Sequence, residues 1–207
     1  MILSTLIFFA IVTIIAPLLG KYIAWVFFDK NLNNLISHSK NGLIKQQTWK
    51  RYFISLMTFN VVCIFTTFLI IFFQNYLPTG SELIKELDLA ATINASISFA
   101  TGTFWQSHNP EEQLSVFSQI FALTMQNFLS AGTSITVFIA FIRGVINNNN
   151  PYIGNFYDDF LRSFCFILIP AALIISLFLM AGGVPQDFIG NINYTNLEGV
   201  KEKIFVG

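Results

Sequence analysis

Four runs in this chain are long and apolar enough to cross a lipid bilayer, and nothing else in the sequence constrains the fold as much. A hydrocarbon core of about 30 Å requires about 20 mostly apolar residues at 1.5 Å rise each. Ile2 to Leu19, Tyr52 to Phe73, Leu114 to Ile142 and Phe160 to Ala181 meet that requirement, with no charge near their centres. Lipid offers backbone groups no hydrogen bonds, so each run must close its own as a helix. The reading is an all-α integral membrane protein. Pro17 and Pro170 are tolerated where neighbours satisfy the freed carbonyls. The third run is overlong and should tilt or break, and Arg162 at the edge of the fourth should snorkel to the interface.

Composition excludes an ordinary soluble enzyme. Of 207 residues, 54% are hydrophobic and 11% charged, against about 25% charged in a typical soluble domain. Eleven basic and eleven acidic residues cancel, so no overall field points to nucleic acid. Cys63 and Cys165 lie inside apolar runs, where a thiol acts as a small hydrophobe. Met1 to Leu19 lacks the basic n-region and cleavage site of a signal peptide and reads as a retained helix. His38 and His108 lack neighbouring ligands or nucleophiles and read as solvated loop residues. Asp158 and Asp159 are adjacent, not spaced as an acid and base pair. The turn Asn147 to Pro151 reads as a linker. There is no glycine-rich phosphate loop, so ATP hydrolysis is not expected of this chain.

Lys21, Lys30, Lys40, Lys45, Lys50 and Arg51 fall between the first and second runs, which places that loop in the cytoplasm. Alternating crossings then put the amino terminus, the segment Gln74 to Gln113 and the tail after Gly182 outside. Glu82, Glu86, Asp88, Glu111 and Glu112 flank a short exterior segment. They would concentrate cations at a mouth there, or simply form a solvated loop.

That segment, Leu89 to Ala100, reads LAATINASISFA. About 12 residues cannot span a bilayer as a helix. It should dip in and return, with Leu89, Ile93 and Ile97 as its packing face; an interfacial helix lying on the membrane is the alternative. Irregular backbone at membrane depth survives only when buried in protein or lining water, so the following turn is a candidate ion site. The carboxyl end of the half-helix favours a cation. Span, half-helix, turn and span make up one quarter of a tetrameric cation channel. A chain with one such unit must form a homotetramer or belong to a longer chain carrying four.

Residues Asn94 to Gly144 resemble the potassium-binding KdpA subunits, members of the superfamily of potassium transporters, above all at Trp105, Gln106 and Ser107, at Phe117, Ser118 and Gln119, and along Gln126 to Ala131. Asn60, Trp49 and the run Tyr76, Leu77, Pro78 agree, and the whole chain is similar to about the first third of the family. The resemblance implies a filter turn at Thr101, Gly102, Thr103, Phe104, Trp105 and Gln106, whose carbonyls coordinate dehydrated potassium. The family pattern carries asparagine at positions 102 and 104. Gly102 eases an unusual backbone angle, and Phe104 should pack behind the loop.

The resemblance further implies three parts: residues 1–51, a helix and basic loop; 52–143, the first channel-like repeat; and 144–207, a linker, the first helix of a second repeat and a tail. It implies a potassium ion as substrate and no organic cofactor. The implied partners are KdpB, which hydrolyses ATP, with KdpC and KdpF, in a bacterial inner membrane. The missing further filters read as truncation, and a fragment with one filter quarter should not transport unaided. Gln119, Gln126, Ser130 and Ser134 share a helical face, with Asn127 adjoining it. They line a vestibule below the filter or bond between helices. Two other classes remain open, a homotetrameric potassium channel and a membrane enzyme using His108.

Overall fold

A computed structural model describes residues 2–28, 45–77, 87–108, 113–146, 150–184, 190–196, 199 and 201–206. Lys30, His38, Lys40, Pro78, Glu82, Lys85, Glu86, Glu111, Glu112 and Asn147 lie outside them. Helix α1 is Ile2–Phe28, α2 is Trp49–Phe72 and the short α3 is Leu89–Ala100. Helix α4 runs over Val116–Ile146 and α5 over Phe156–Ala181. Among the described residues α1, α2, α4 and α5 are long and apolar enough to span a membrane. All four runs read from sequence are helices. The first extends past Leu19 and takes in Lys21, which the charge pattern had placed in a loop. The overlong third run does not break. It widens into a π-helical turn at Gln119–Thr124.

Helix α5 carries a second π turn, Ser163–Leu168, just before Pro170. Proline has no N–H to offer the carbonyl four residues back, that of Phe166. The Tyr22 hydroxyl of α1 donates to that carbonyl at 2.5 Å. Ile169 N–H meanwhile reaches back to Phe164, five residues away.

One end of the helix group is basic. There the carboxyl ends of α1 and α4 meet the amino ends of α2 and α5, as alternating crossings require. Arg143 of α4 pairs with Asp159 of α5 at 2.6 Å. The Tyr52 hydroxyl of α2 lies 3.2 Å from the same carboxylate oxygen. Arg162 does not snorkel: it is buried, donating to Asp158 at 3.0 Å and to the Val26 carbonyl of α1 at 3.0 Å. A carboxylate and a helix-end carbonyl supply what water would otherwise give. The adjacent aspartates thus serve two separate arginines.

Strands were not expected. Gln47–Thr48 (β1) and Tyr152–Gly154 (β2) pair antiparallel beside this network. Gly154 has φ +119°, and a Cβ there would overlap Arg143 Nη1 and lie 2.9 Å from Asp159 Oδ2. Asn155 caps α5, its side-chain oxygen accepting from Tyr157 and Asp158 N–H. Gly190–Thr195 (β3) and Lys201–Val206 (β4) form an antiparallel hairpin in the polar tail.

At the opposite end Ile71, Ala95, Phe99, Leu114, Ala122 and Leu123 form the core joining α2, α3 and α4. Gln74 bridges α2 to α4 there, donating to the Gln113 carbonyl and accepting from Ser115 N–H, each at 3.0 Å. Between the ends, Gly132 admits Phe160: a Cβ at 132 would stand 2.9 Å from its ring. Small residues permit that approach.

Candidate functional site

Helix α3 has the bounds expected from sequence, but its packing face is not Leu89, Ile93 and Ile97. Those are 53%, 44% and 45% exposed, while Thr92, Ala95, Ser96, Ser98, Phe99 and Ala100 are buried. The small side chains let α3 lie close against its neighbours, and the hydroxyls of Thr92 and Ser96 bond back to carbonyls within the helix or at its cap. Bulky Leu and Ile on that face would hold the helices apart.

The helix ends in a Schellman motif. Gly102 N–H returns to the Phe99 carbonyl at 3.2 Å and Thr103 N–H to the Ser98 carbonyl at 3.0 Å. Gly102 takes φ +73°, the left-handed value the motif requires. A Cβ at 102 would lie 3.5 Å from Ser130 Cβ. Ser130 stands near the middle of α4, so the half-helix descends to mid-span and does not lie across the helix ends.

Ser98 then organises the whole turn. Its carbonyl also accepts Phe104 N–H at 3.3 Å and the Thr103 hydroxyl at 3.1 Å. Its hydroxyl accepts Trp105 N–H at 2.6 Å and lies 3.0 Å from Thr103 Oγ1. The N–H groups of Gly102 through Trp105 are thereby all turned back into the helix end. None of the carbonyls of Thr101, Gly102, Thr103, Phe104, Trp105 or Gln106 accepts a hydrogen bond among the described residues. The backbone presents acceptors and hides donors. Sequence reading missed Ser98; the signal was a serine four residues before a helix-ending glycine.

Phe104 sits at φ +53°, the non-glycine positive φ among the described residues. Its ring meets Phe99 edge-on, centroids 5.7 Å apart, yet stays 47% exposed, so it packs only partly behind the loop. Positions 102 and 104, where the family resemblance calls for asparagine, are the two left-handed positions of the turn. Asparagine is the side chain that tolerates that region best.

The remaining polar residues do not converge. Ser130 lies under Gly102, but Gln126 is buried against α2, donating to the Cys63 carbonyl at 3.4 Å. Gln119 donates to the Leu114 carbonyl at 3.1 Å, and Asn127 is exposed. His108 is not a solvated side chain. Both ring nitrogens are buried without partners among the described residues, and burial holds its pKa below the usual imidazole value. Cys63 and Cys165 are free thiols. Among the described residues no cluster of His, Cys, Asp and Glu could hold a metal.

Four apolar spans, with a half-length helix packed against α2 and α4 and an acceptor-rich turn at its end, define a multi-pass helical membrane protein with a re-entrant segment. The family model "KdpA: Potassium-transporting ATPase A subunit" matches residues 6–207. The chain belongs to that family. It is 38% identical over 212 residues to a Leptospira interrogans serovar Lai protein, covering 99% of this chain and 38% of that one. It is 34% identical over 218 residues to a Pseudomonas aeruginosa protein, covering 100% and 38%. A Hydrogenobaculum protein is 36% identical over 200 residues, covering 90% and 34%. Each is described as a potassium-transporting ATPase potassium-binding subunit. The chain spans little more than a third of their length.

Proposed function

We propose that this chain supplies one pore-loop repeat of a potassium-binding and translocating subunit in an ATP-driven import complex. The turn Thr101–Gln106 is one quarter of its filter, and the observation that carries the reading is the set of free carbonyls. Carbonyl oxygens can replace the water around a cation only if no N–H already occupies them. Potassium is the substrate. Ser130 buttresses the turn from below, and Gln119, Gln126 and Asn127 are helix-packing or vestibule residues elsewhere along α4.

In this reading residues 1–51, 52–143 and 144–207 form the leading helix with its basic loop, the first repeat, and the start of a second. The basic end faces the cytoplasm of a bacterial inner membrane, with the amino terminus outside. Potassium enters from the exterior, loses water in the filter and passes toward the ATPase subunit, KdpB, alongside KdpC and KdpF. The relatives' length and their description as a subunit support this over a homotetrameric channel. The test is potassium uptake in a transporter-deficient strain. The 207 residues alone should not restore it, whereas a Leptospira-type subunit whose matching segment is replaced by this chain should do so with its partners. Uptake by the chain alone would overturn the reading.

A further inference from the structure

At the basic end, α2 and α4 leave between them an apolar groove of about 420 Å³. Trp49, Phe53 and Leu56 form one wall, and Phe141, Gly144 and Val145 form much of the other. The volume is in the range of sites that take small ligands, about 300–1,000 Å³. The turn does not reach this groove, and the arginine network borders it through Tyr52 and Ile153.

The rim is cationic. Lys50 Nζ lies 5.6 Å from the centroid of the Trp49 ring, so the ring that lines the groove also holds the ammonium at its mouth. Arg51 is exposed on the same helical turn. The nearby acids are already engaged, Asp159 by Arg143 and Asp158 by Arg162. Among the described residues no carboxylate pairs with Lys50 or Arg51. Tryptophan at such a level marks the membrane interface, where its apolar ring and polar N–H are both accommodated. Anionic headgroups attract each basic side chain held at the surface.

We propose that this groove is a binding site for an anionic phospholipid, one acyl chain lying between α2 and α4 and the headgroup phosphate resting on Lys50 and Arg51. A zwitterionic lipid would fill the groove without matching the two uncompensated cations. The site stands independently of the filter reading.

The test is native mass spectrometry of the full chain in neutral detergent, titrated with phosphatidylglycerol and with phosphatidylcholine of the same acyl composition. Phosphatidylglycerol should bind at least about tenfold more tightly. In K50Q/R51Q the two affinities should come within about twofold of one another. Gly144→Phe should weaken both lipids, since a Cβ at 144 has no atom within 4 Å and the ring can enter the groove. Both variants change exposed positions, and circular dichroism melting checks that they stay folded. Equal affinity for the two lipids in the unaltered chain would overturn the proposal, as would a preference that survives K50Q/R51Q. Lipid binding unaltered by a folded Gly144→Phe variant that instead loses a co-purifying subunit would assign the groove to protein contact.

Discussion

Ser98 accepts the backbone N–H of Trp105 through its hydroxyl at 2.6 Å, while its carbonyl collects the N–H groups of Thr103 and Phe104. One residue in the last turn of a half-helix thereby directs the donors of the following segment inward. The free acceptors are a consequence of that arrangement.

Ser98→Ala removes the hydroxyl and keeps the carbonyl. A hydrogen bond of this partly buried kind contributes about 0.5–1.5 kcal/mol. The turn should loosen beyond Phe104, and the potassium KM of the assembled transporter should rise roughly tenfold, the equivalent of about 1.4 kcal/mol. Uptake kinetics at graded potassium concentrations measure it. An unchanged KM would mean the Trp105 contact does not shape the site.

Phe104 is held in a backbone region that costs a bulky L-residue about 1–2 kcal/mol. Phe104→Gly, and to a lesser degree Phe104→Asn, should raise thermal stability, while Phe104→Val should lower it because β-branching worsens the strain. Thermal unfolding of the three variants in one detergent orders them. If Val and Gly prove equal, the position is unstrained.

The Arg143 and Asp159 pair is buried enough that losing one partner leaves a bare charge. Asp159→Leu or Arg143→Met alone should destabilise by about 3–5 kcal/mol, and the double variant should recover much of the loss. Gly154→Ala should be as severe as either single change, because its Cβ would occupy the space of Arg143 Nη1 at a φ of +119°. A double-mutant cycle read by thermal unfolding measures the coupling.

The spans were legible because bilayer thickness fixes their length, and the half-helix because it is too short for that same thickness. Other features depend on partners distant in sequence. The face of α3 was misread because apolar periodicity marks greasy sides, whereas in a membrane the tight contact belongs to small residues such as Ala95 and Ser96. Arg162 looked like a snorkelling end because one of its partners, the Val26 carbonyl, sits on another helix, while Asp158 lies four residues back on its own. The π turn in α5 follows from Pro170, but nothing local announces that Tyr22 serves the orphaned Phe166 carbonyl. At the candidate turn, the short half-helix pointed to a turn after Ala100, while the part played by Ser98 is explained only by the bonds it makes.

His108 carries a pH signature. Its folded pKa lies below the ordinary value of about 6.5 because burial disfavours the imidazolium. The unfolded chain therefore takes up the proton first. Stability from this residue is present above pH 6.5 and is lost as pH falls from there through the lower folded value. His108→Gln should flatten the slope of melting temperature between about pH 7 and pH 5. An unchanged slope would place the imidazole in water.

The central claim is that the carbonyls of Thr101–Gln106 hold the ion. Anomalous scattering from rubidium, a potassium surrogate, in crystals of the assembled subunit tests it most directly. The expected result is a peak at coordination distance from these oxygens that disappears when sodium replaces rubidium. Rubidium bound elsewhere in the subunit, with this turn empty, would contradict it.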